Sequence, residues 1–181
     1  AGSRIISCHL GNGSSICAIR DGKCMDTSMG LTPLDGLIMG TRCGGIDPSV
    51  VTYIAAKENK SPAEMTELMN KRSGFLGISG ISSDCRDLQD ARSRGDERAD
   101  LALDMLAYQI KKFIGGYAAG MGGLDAVIFT GGIGENDASI RHEVCKNMEF
   151  LGINFELSRN AVRGEEKLIS SDDSQVKVWI I

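Results

Sequence analysis

Several features are scarce or missing in this 181-residue chain, and each absence removes a class of function. No apolar run approaches the roughly 20 residues that a membrane-spanning helix needs, and no signal-peptide pattern opens the chain. Neither sign of charge dominates. The 20 Lys and Arg stand against 24 Asp and Glu, a net charge of −4, so nothing marks a surface for nucleic acid or for an anionic membrane. Arg86, Arg92, Arg94 and Arg98 do gather in one stretch, but acids interleave with them, as on an ordinary solvated face. The six cysteines (Cys8, Cys17, Cys24, Cys43, Cys85 and Cys145) form no C-x-x-C pair and no zinc-finger spacing. They read as free thiols, several of them buried, and the cytoplasm is the economical expectation. There is no internal repeat and no compositionally biased linker.

What is present is an ordinary globular composition, 42% hydrophobic, long enough to bury one substantial core or one core with an appended lobe. Residues 5–8, 15–20 and 23–29 read as three short strands. Asp21-Gly22 joins the last two as a type I′ hairpin turn. A glycine-dotted stretch over 30–45 holds Thr41-Arg42-Cys43-Gly44-Gly45. Asp47-Pro48 then reads as an N-cap and first helical residue, with Val50, Val51 and Ile54 as an apolar face. Ser61-Pro62-Ala63-Glu64 has capping-box form, opening a helix that Ser73-Gly74 should end. Residues 75–83 read as a loop and 84–90 as a short helical turn. Asp96 caps a long helix over about 97–118, whose apolar positions cover more than one stripe and predict packing on several sides. The run Ala126-Val127-Ile128-Phe129 is continuous and apolar, as in a buried parallel strand, and a helix follows over about 138–151.

Two segments carry chemistry. His9-Leu10-Gly11-Asn12-Gly13-Ser14-Ser15 follows the first strand, and Thr130-Gly131-Gly132-Ile133-Gly134-Glu135-Asn136 follows the later apolar one. Glycine lets backbone approach a phosphate, and a turn after a strand leaves amide N–H groups to face an anion. Taken singly, such a turn is also what a plain hairpin uses. Two of them after two strands in one domain point to a nucleotide held between them. Neither is a Walker A loop, because no Gly-Lys-Ser/Thr follows, and neither is G-x-G-x-x-G. Hairpin strands followed by alternating helices and strands predict an α/β fold with a mixed sheet flanked by helices.

These residues resemble a known family. The two glycine segments, Met29-Gly30-Leu31-Thr32-Pro33-Leu34-Asp35-Gly36-Leu37 and Met39-Gly40-Thr41-Arg42-Cys43-Gly44 are similar, in the same order, to the C-terminal half of the acetokinase family. That family belongs with sugar kinases, Hsp70 and actin, so the resemblance implies a ribonuclease-H-like lobe over residues 1–181. It also implies ATP-dependent phosphorylation of acetate to acetyl phosphate, reversible and dependent on Mg²⁺. His9, Leu10, Gly11, Asn12 and Gly13 would line the phosphate turn. Asp84, Cys85 and Arg86 would lie beside the nucleoside, and Gly132, Ile133, Gly134, Glu135 and Asn136 would form the adenosine motif. Arg42 would be the transition-state arginine, a role its planar fork suits.

Outside the resemblance, Arg42 could equally be a surface charge, His9 a satisfied core histidine, and Asp84 with Arg86 a pair or a cap. The resemblance further implies a homodimer and ATP or ADP with a short-chain carboxylate as ligands. It places the Mg²⁺ ligands outside these residues and assigns no metal ligand here; Glu135 falls in the adenosine motif. The chain starts Ala-Gly-Ser and stops inside Val176-Lys177-Val178-Trp179-Ile180-Ile181, so a piece cut at both ends, inactive alone, is expected. Propionate or butyrate kinase is the near alternative, with Thr41-Arg42-Cys43-Gly44 favouring acetate or propionate. A non-catalytic nucleotide-binding module of actin or Hsp70 type is the distant one.

Overall fold

The alternation of apolar and small residues after Ser3 does what period-two patterning dictates. In the computed structural model, which describes residues 2–181, β1 (Arg4–His9) buries Ile6 and Cys8, and β2 (Ser15–Arg20) buries Ile16 and Ala18. Asp21 and Gly22 turn the chain with φ of 54° and 74°, both left-handed as a type I′ turn demands, into β3 (Lys23–Thr27). β3 ends two residues before the expected 29 and is exposed throughout.

Residues 29–106 form one compact unit. α1 (Pro48–Lys57) starts where expected, with the Asp47 carboxylate accepting from Ser49 N–H at 2.8 Å. It fully buries no residue: Val50 is exposed while Val51 and Ile54 are half-buried, so the expected apolar face is only partly covered. α2 (Pro62–Lys71) opens on the full capping box: Ser61 Oγ accepts from Glu64 N–H, and Glu64 accepts from Ser61 N–H at 2.8 Å. The expected loop over 75–83 is instead largely α3 (Gly74–Ser79). Its helical state is imposed from outside the segment, since Phe75 N–H donates to Met39 O at 2.9 Å and Leu76 N–H to Gly40 O at 3.0 Å. α4 (Cys85–Ser93) is longer than the turn expected over 84–90.

α5 (Glu97–Met121) is capped by Asp96, which accepts from Ala99 N–H at 2.8 Å, and runs three residues past the predicted end. Its buried residues include Ala99, Ala102, Leu103, Leu106, Ile110 and Ile114, whereas Leu101 and Tyr108 are exposed. The helix therefore buries one broad face, not several.

The second unit comprises residues 1–28 and 107–181. β4 (Ala126–Thr130) is followed by α6 (Gly131–Asn136) and α7 (Ala138–Cys145), with β5 (Lys167–Leu168) and β6 (Lys177–Ile180) toward the end. The helix expected over 138–151 breaks at Asn147, which adopts φ of 59°, and resumes only as a 3₁₀ turn over Glu149–Leu151. A four-residue helix, α8 (Leu157–Asn160), had no sequence signal.

The sheet runs β3-β2-β1-β4-β6-β5. β1 pairs antiparallel with β2 and parallel with β4, which is parallel to β6, giving the mixed, helix-flanked sheet expected of a ribonuclease-H-like lobe. Ile6, Cys8, Val127, Phe129, Val178 and Ile180 are all fully buried, and their adjacent strands give one core face.

Two polar clusters brace this unit, one at the start of β1 and β4 and one behind α6. At the start of both strands, Arg4 Nε and Nη2 donate to the two Asp125 oxygens at 3.2 and 2.7 Å, and Arg4 N–H reaches the same carboxylate at 2.7 Å. Behind α6, Arg141 is wholly buried. Its guanidinium donates to Gly134 O (2.8 Å), Asn160 Oδ1 (2.7 Å), Asn160 O (2.9 Å) and Val162 O (2.9 Å). Burial pushes its pKa down from the usual range, but a guanidinium still carries its charge.

Truncating Arg141 to Met takes a donor from four oxygens, of which only Asn160 O keeps another, Val162 N–H, and should lower unfolding free energy by about 3 kcal/mol or more. Arg141→Lys should recover only part of that, as read by urea denaturation. Arg4 holds the Asp125 carboxyl below the usual carboxylate range, chiefly by hydrogen bonding. A depressed folded pKa gives stability that is present above the unfolded value of about 3.9 and lost as pH falls through the folded one. Asp125→Asn should therefore weaken the protein near neutrality and flatten its acid-side loss in thermal melts across that window.

Candidate functional site

The parallel register His9↔Thr130 puts the ends of β1 and β4 side by side, so both glycine segments leave the same end of the sheet, at the carboxyl ends of these two strands. Leu10 joins them through its backbone. Its N–H donates to Thr130 O at 2.8 Å, and its carbonyl accepts from Ile133 N–H at 2.8 Å and Gly134 N–H at 3.3 Å. The close approach explains the glycine at 131. Gly131 has φ of +79°, and a Cβ there would lie 2.7 Å from Leu10 O.

The first turn is braced from within. Ser14, buried, accepts from Gly11 N–H through Oγ at 3.2 Å and donates from the same hydroxyl to Gly11 O at 3.0 Å. Asn12 stands exposed at the tip. His9 is exposed too, which removes the reading of a buried core histidine.

The second glycine segment is not the expected open loop but the short helix α6. Glu135 accepts from Gly131 N–H at 2.9 Å, and Asn136 Nδ2 donates to Gly132 O at 3.0 Å, so both polar side chains brace their own turn. Gly132 is exposed, and a Cβ built there meets nothing within 4 Å. Its missing side chain leaves open space that the fold itself does not fill.

The remaining predicted residues lie in the unit of residues 29–106. The backbone around Arg42 is held tightly: Met39 N–H donates to Arg42 O (3.1 Å), Ser73 N–H to Thr41 O (3.0 Å), Cys43 N–H to Met69 O (3.0 Å) and Thr41 Oγ1 to Asn70 O (2.8 Å). The guanidinium at the end of this fixed segment is held loosely. Nη1 reaches Pro33 O at 3.3 Å and Met39 Sδ at 3.6 Å, and among the described residues Arg42 makes no ion pair. A pinned backbone bearing an uncompensated, half-buried fork can receive an anion.

Asp84 and Arg86 realise the two plain alternatives together. Asp84 caps α4 by accepting from Arg86 N–H at 2.9 Å, and it takes the Arg86 guanidinium in a two-pronged pair at 3.0 and 2.6 Å. That partner holds the Asp84 carboxyl below its usual range. The pair is exposed, leaving the planar guanidinium face open, whereas the Cys85 side chain is buried.

Among the described residues no group of three or more His, Cys, Asp or Glu is placed to hold a metal ion. With Glu135 turned onto its own helix, the described residues do not make a magnesium site. Arg141, behind α6, escaped the sequence reading. Its signal was an arginine between Ile140 and Val144, both fully buried, on the inner side of α7.

Comparison with known proteins agrees with this geometry. The family model described as the acetokinase family matches residues 1–181. An acetate kinase of Bacteroides thetaiotaomicron is 58% identical over 181 residues, covering 99% of this chain and 45% of the relative. One of Phocaeicola vulgatus is 56% identical over 180 residues, with the same coverage. Among solved structures, a Porphyromonas gingivalis acetate kinase superposes with a TM-score of 0.97 at 50% identity, over 99% of this chain and 45% of its own. A Francisella tularensis propionate kinase gives 0.91 at 44% identity, over 99% and 46%. The chain thus spans somewhat under half the length of the relatives it matches. With a match over every residue and more than half of them identical in these relatives, the chain belongs to the acetokinase family.

Proposed function

We propose that this chain is the nucleotide-binding half of a kinase that phosphorylates acetate reversibly with ATP to give acetyl phosphate. The observation that carries the reading is the pair of glycine turns, set side by side and joined through Leu10, in a chain so similar to acetate kinases. His9 to Gly13 would hold the phosphates, with Asn12 and the turn's amides near the transferring group and His9 donating a hydrogen bond. Gly132 to Asn136 would pack backbone against base and ribose, the open space over Gly132 receiving the ligand. Asp84, Cys85 and Arg86 would flank the nucleoside, the Asp84 pair keeping the Arg86 plane in place.

The chemistry asks little covalent work of the protein. A carboxylate oxygen attacks the γ-phosphorus in line and ADP leaves. An ionised carboxylate needs no base, so positioning and charge stabilisation supply the acceleration. Charge spread over the equatorial oxygens suits the Arg42 fork, and arginines in that role contribute about 10³–10⁵ in rate. The Mg²⁺ that accompanies the nucleotide would be held by residues outside this chain. Alone, the chain would bind nucleotide and not turn over. A homodimer belongs to the same proposal, with exposed Leu101 and Tyr108 on α5 as apolar surface for it. Propionate is the second reading, supported by the likeness to the Francisella tularensis propionate kinase.

Calorimetric titration of Mg·ADP into this chain tests the nucleotide site. Saturable binding is expected. Gly132→Val should weaken it at least about tenfold while leaving the melting temperature nearly unchanged, because its side chain enters space the fold leaves open. Unchanged affinity in that variant would remove the second turn from the site. In the complete enzyme, Arg42→Ala should lower kcat by about 10³-fold or more with the ADP affinity nearly constant. Activity retained in Arg42→Ala would favour a binding module over a kinase.

A further inference from the structure

The hairpin of β2 and β3 carries two thiols that neither glycine turn uses. Pairing across it runs Cys17↔Thr27 and Ala18↔Asp26, then shifts to Ile19↔Cys24, so Met25 is the extra residue of a β-bulge. Strand alternation places Cys17 and Ile19 on one face of β2, and Cys24, opposite Ile19, shares that face. The extra residue brings Cys24 diagonally toward Cys17, and the two sulfurs stand 3.2 Å apart. Both cysteines are free. A disulfide needs them to close by only about 1.2 Å.

The two sulfurs differ in surroundings. Cys24 is exposed on the edge strand, and Cys17 is half-buried. From α5, Tyr117 lies near them, its hydroxyl buried with no hydrogen-bond partner among the described residues. Burial and the neighbouring Cys24 raise the Cys17 thiol to about 11. Cys8, Cys85 and Cys145 are buried, and burial pushes the thiols of Cys8 and Cys145 up as well. Within the pair, accessibility singles out Cys24 as the attacking group and Cys17 as its resolving partner.

We propose that Cys17 and Cys24 form a reversible dithiol–disulfide site whose oxidant is a small-molecule disulfide of the glutathione type. The Cys24 thiolate attacks one sulfur of oxidised glutathione, forming a mixed disulfide. The departing glutathione thiolate takes up the proton that Cys24 released. Cys17 then attacks the Cys24 sulfur, breaking the mixed disulfide, and its proton leaves with the second glutathione. Two protein thiols are oxidised and one glutathione disulfide is reduced to two thiols. The product staples the edge strand to β2 across the bulge.

The test is native incubation of this chain with oxidised glutathione, acid quenching, then intact mass and peptide mapping. Wild type should lose about 2 Da, regain it with dithiothreitol, and yield a Cys17–Cys24 linked peptide. Cys17→Ser should stop at the mixed disulfide, gaining about 305 Da on Cys24, and Cys24→Ser should react at least about tenfold more slowly. A lasting glutathione adduct on wild-type Cys24 would overturn the proposal. So would an unmodified pair, or linkage of Cys24 to Cys8, Cys43, Cys85 or Cys145.

Discussion

The parallel pairing of β1 with β4 decides where both glycine turns stand, and the peptide units on either side of Leu10 complete it. Leu10 is fully buried, its N–H is held by Thr130, and its carbonyl is shared by Ile133 and Gly134. Residues about 120 positions apart in sequence are thereby brought together at one end of the sheet. Such long-range contacts carry a loop-closure cost that local structure cannot offset, so the adjoining core must supply it. Ile6, Cys8, Val127 and Phe129, all fully buried on the two strands, do so.

Polar contacts then remove the remaining freedom. Arg4 and Asp125 tie the strands where they begin, Ser14 closes the first turn on itself, and Arg141 draws Gly134 toward Asn160 from behind. The arrangement at Arg141 is unusual in its chemistry. A buried cation normally sits with a carboxylate, whereas this one donates to carbonyl and amide oxygens. In the other unit the same logic fixes Arg42 by its backbone and leaves its guanidinium with only long contacts to Pro33 O and Met39 Sδ.

The parts of this fold that were legible in the sequence are those decided locally. Asp21-Gly22, the Ser61/Glu64 box and the Asp96 cap announce themselves because the residue that makes the interaction also starts the element. The period-two runs at β1, β2 and β4 were equally plain. α3 was not, because Gly74, Gly77 and Gly80 read as breakers while its first N–H groups are held by carbonyls of Met39 and Gly40 far back in the chain. α6 was read as a loop for the same reason: Glu135 folds back on Gly131 in a segment half made of glycine. For the site, the glycine turns were visible from spacing, but the family resemblance alone drew Arg42 and Asp84–Arg86 into it. Arg141 was missed because an arginine on a short helix normally faces solvent.

The bulge at Met25 has a bearing on solubility. β3 is an open edge, and an exposed edge strand invites another chain to add to it. This edge is only five residues long, its regular spacing is broken by the extra residue, and Lys23 and Asp26 stand on it as charges. At the far side the sheet ends in β5, with two residues. Neither border offers a flat, uninterrupted ladder on which neighbouring molecules could stack, so the protein should resist strand-by-strand aggregation even though its central strands bury a continuous apolar face.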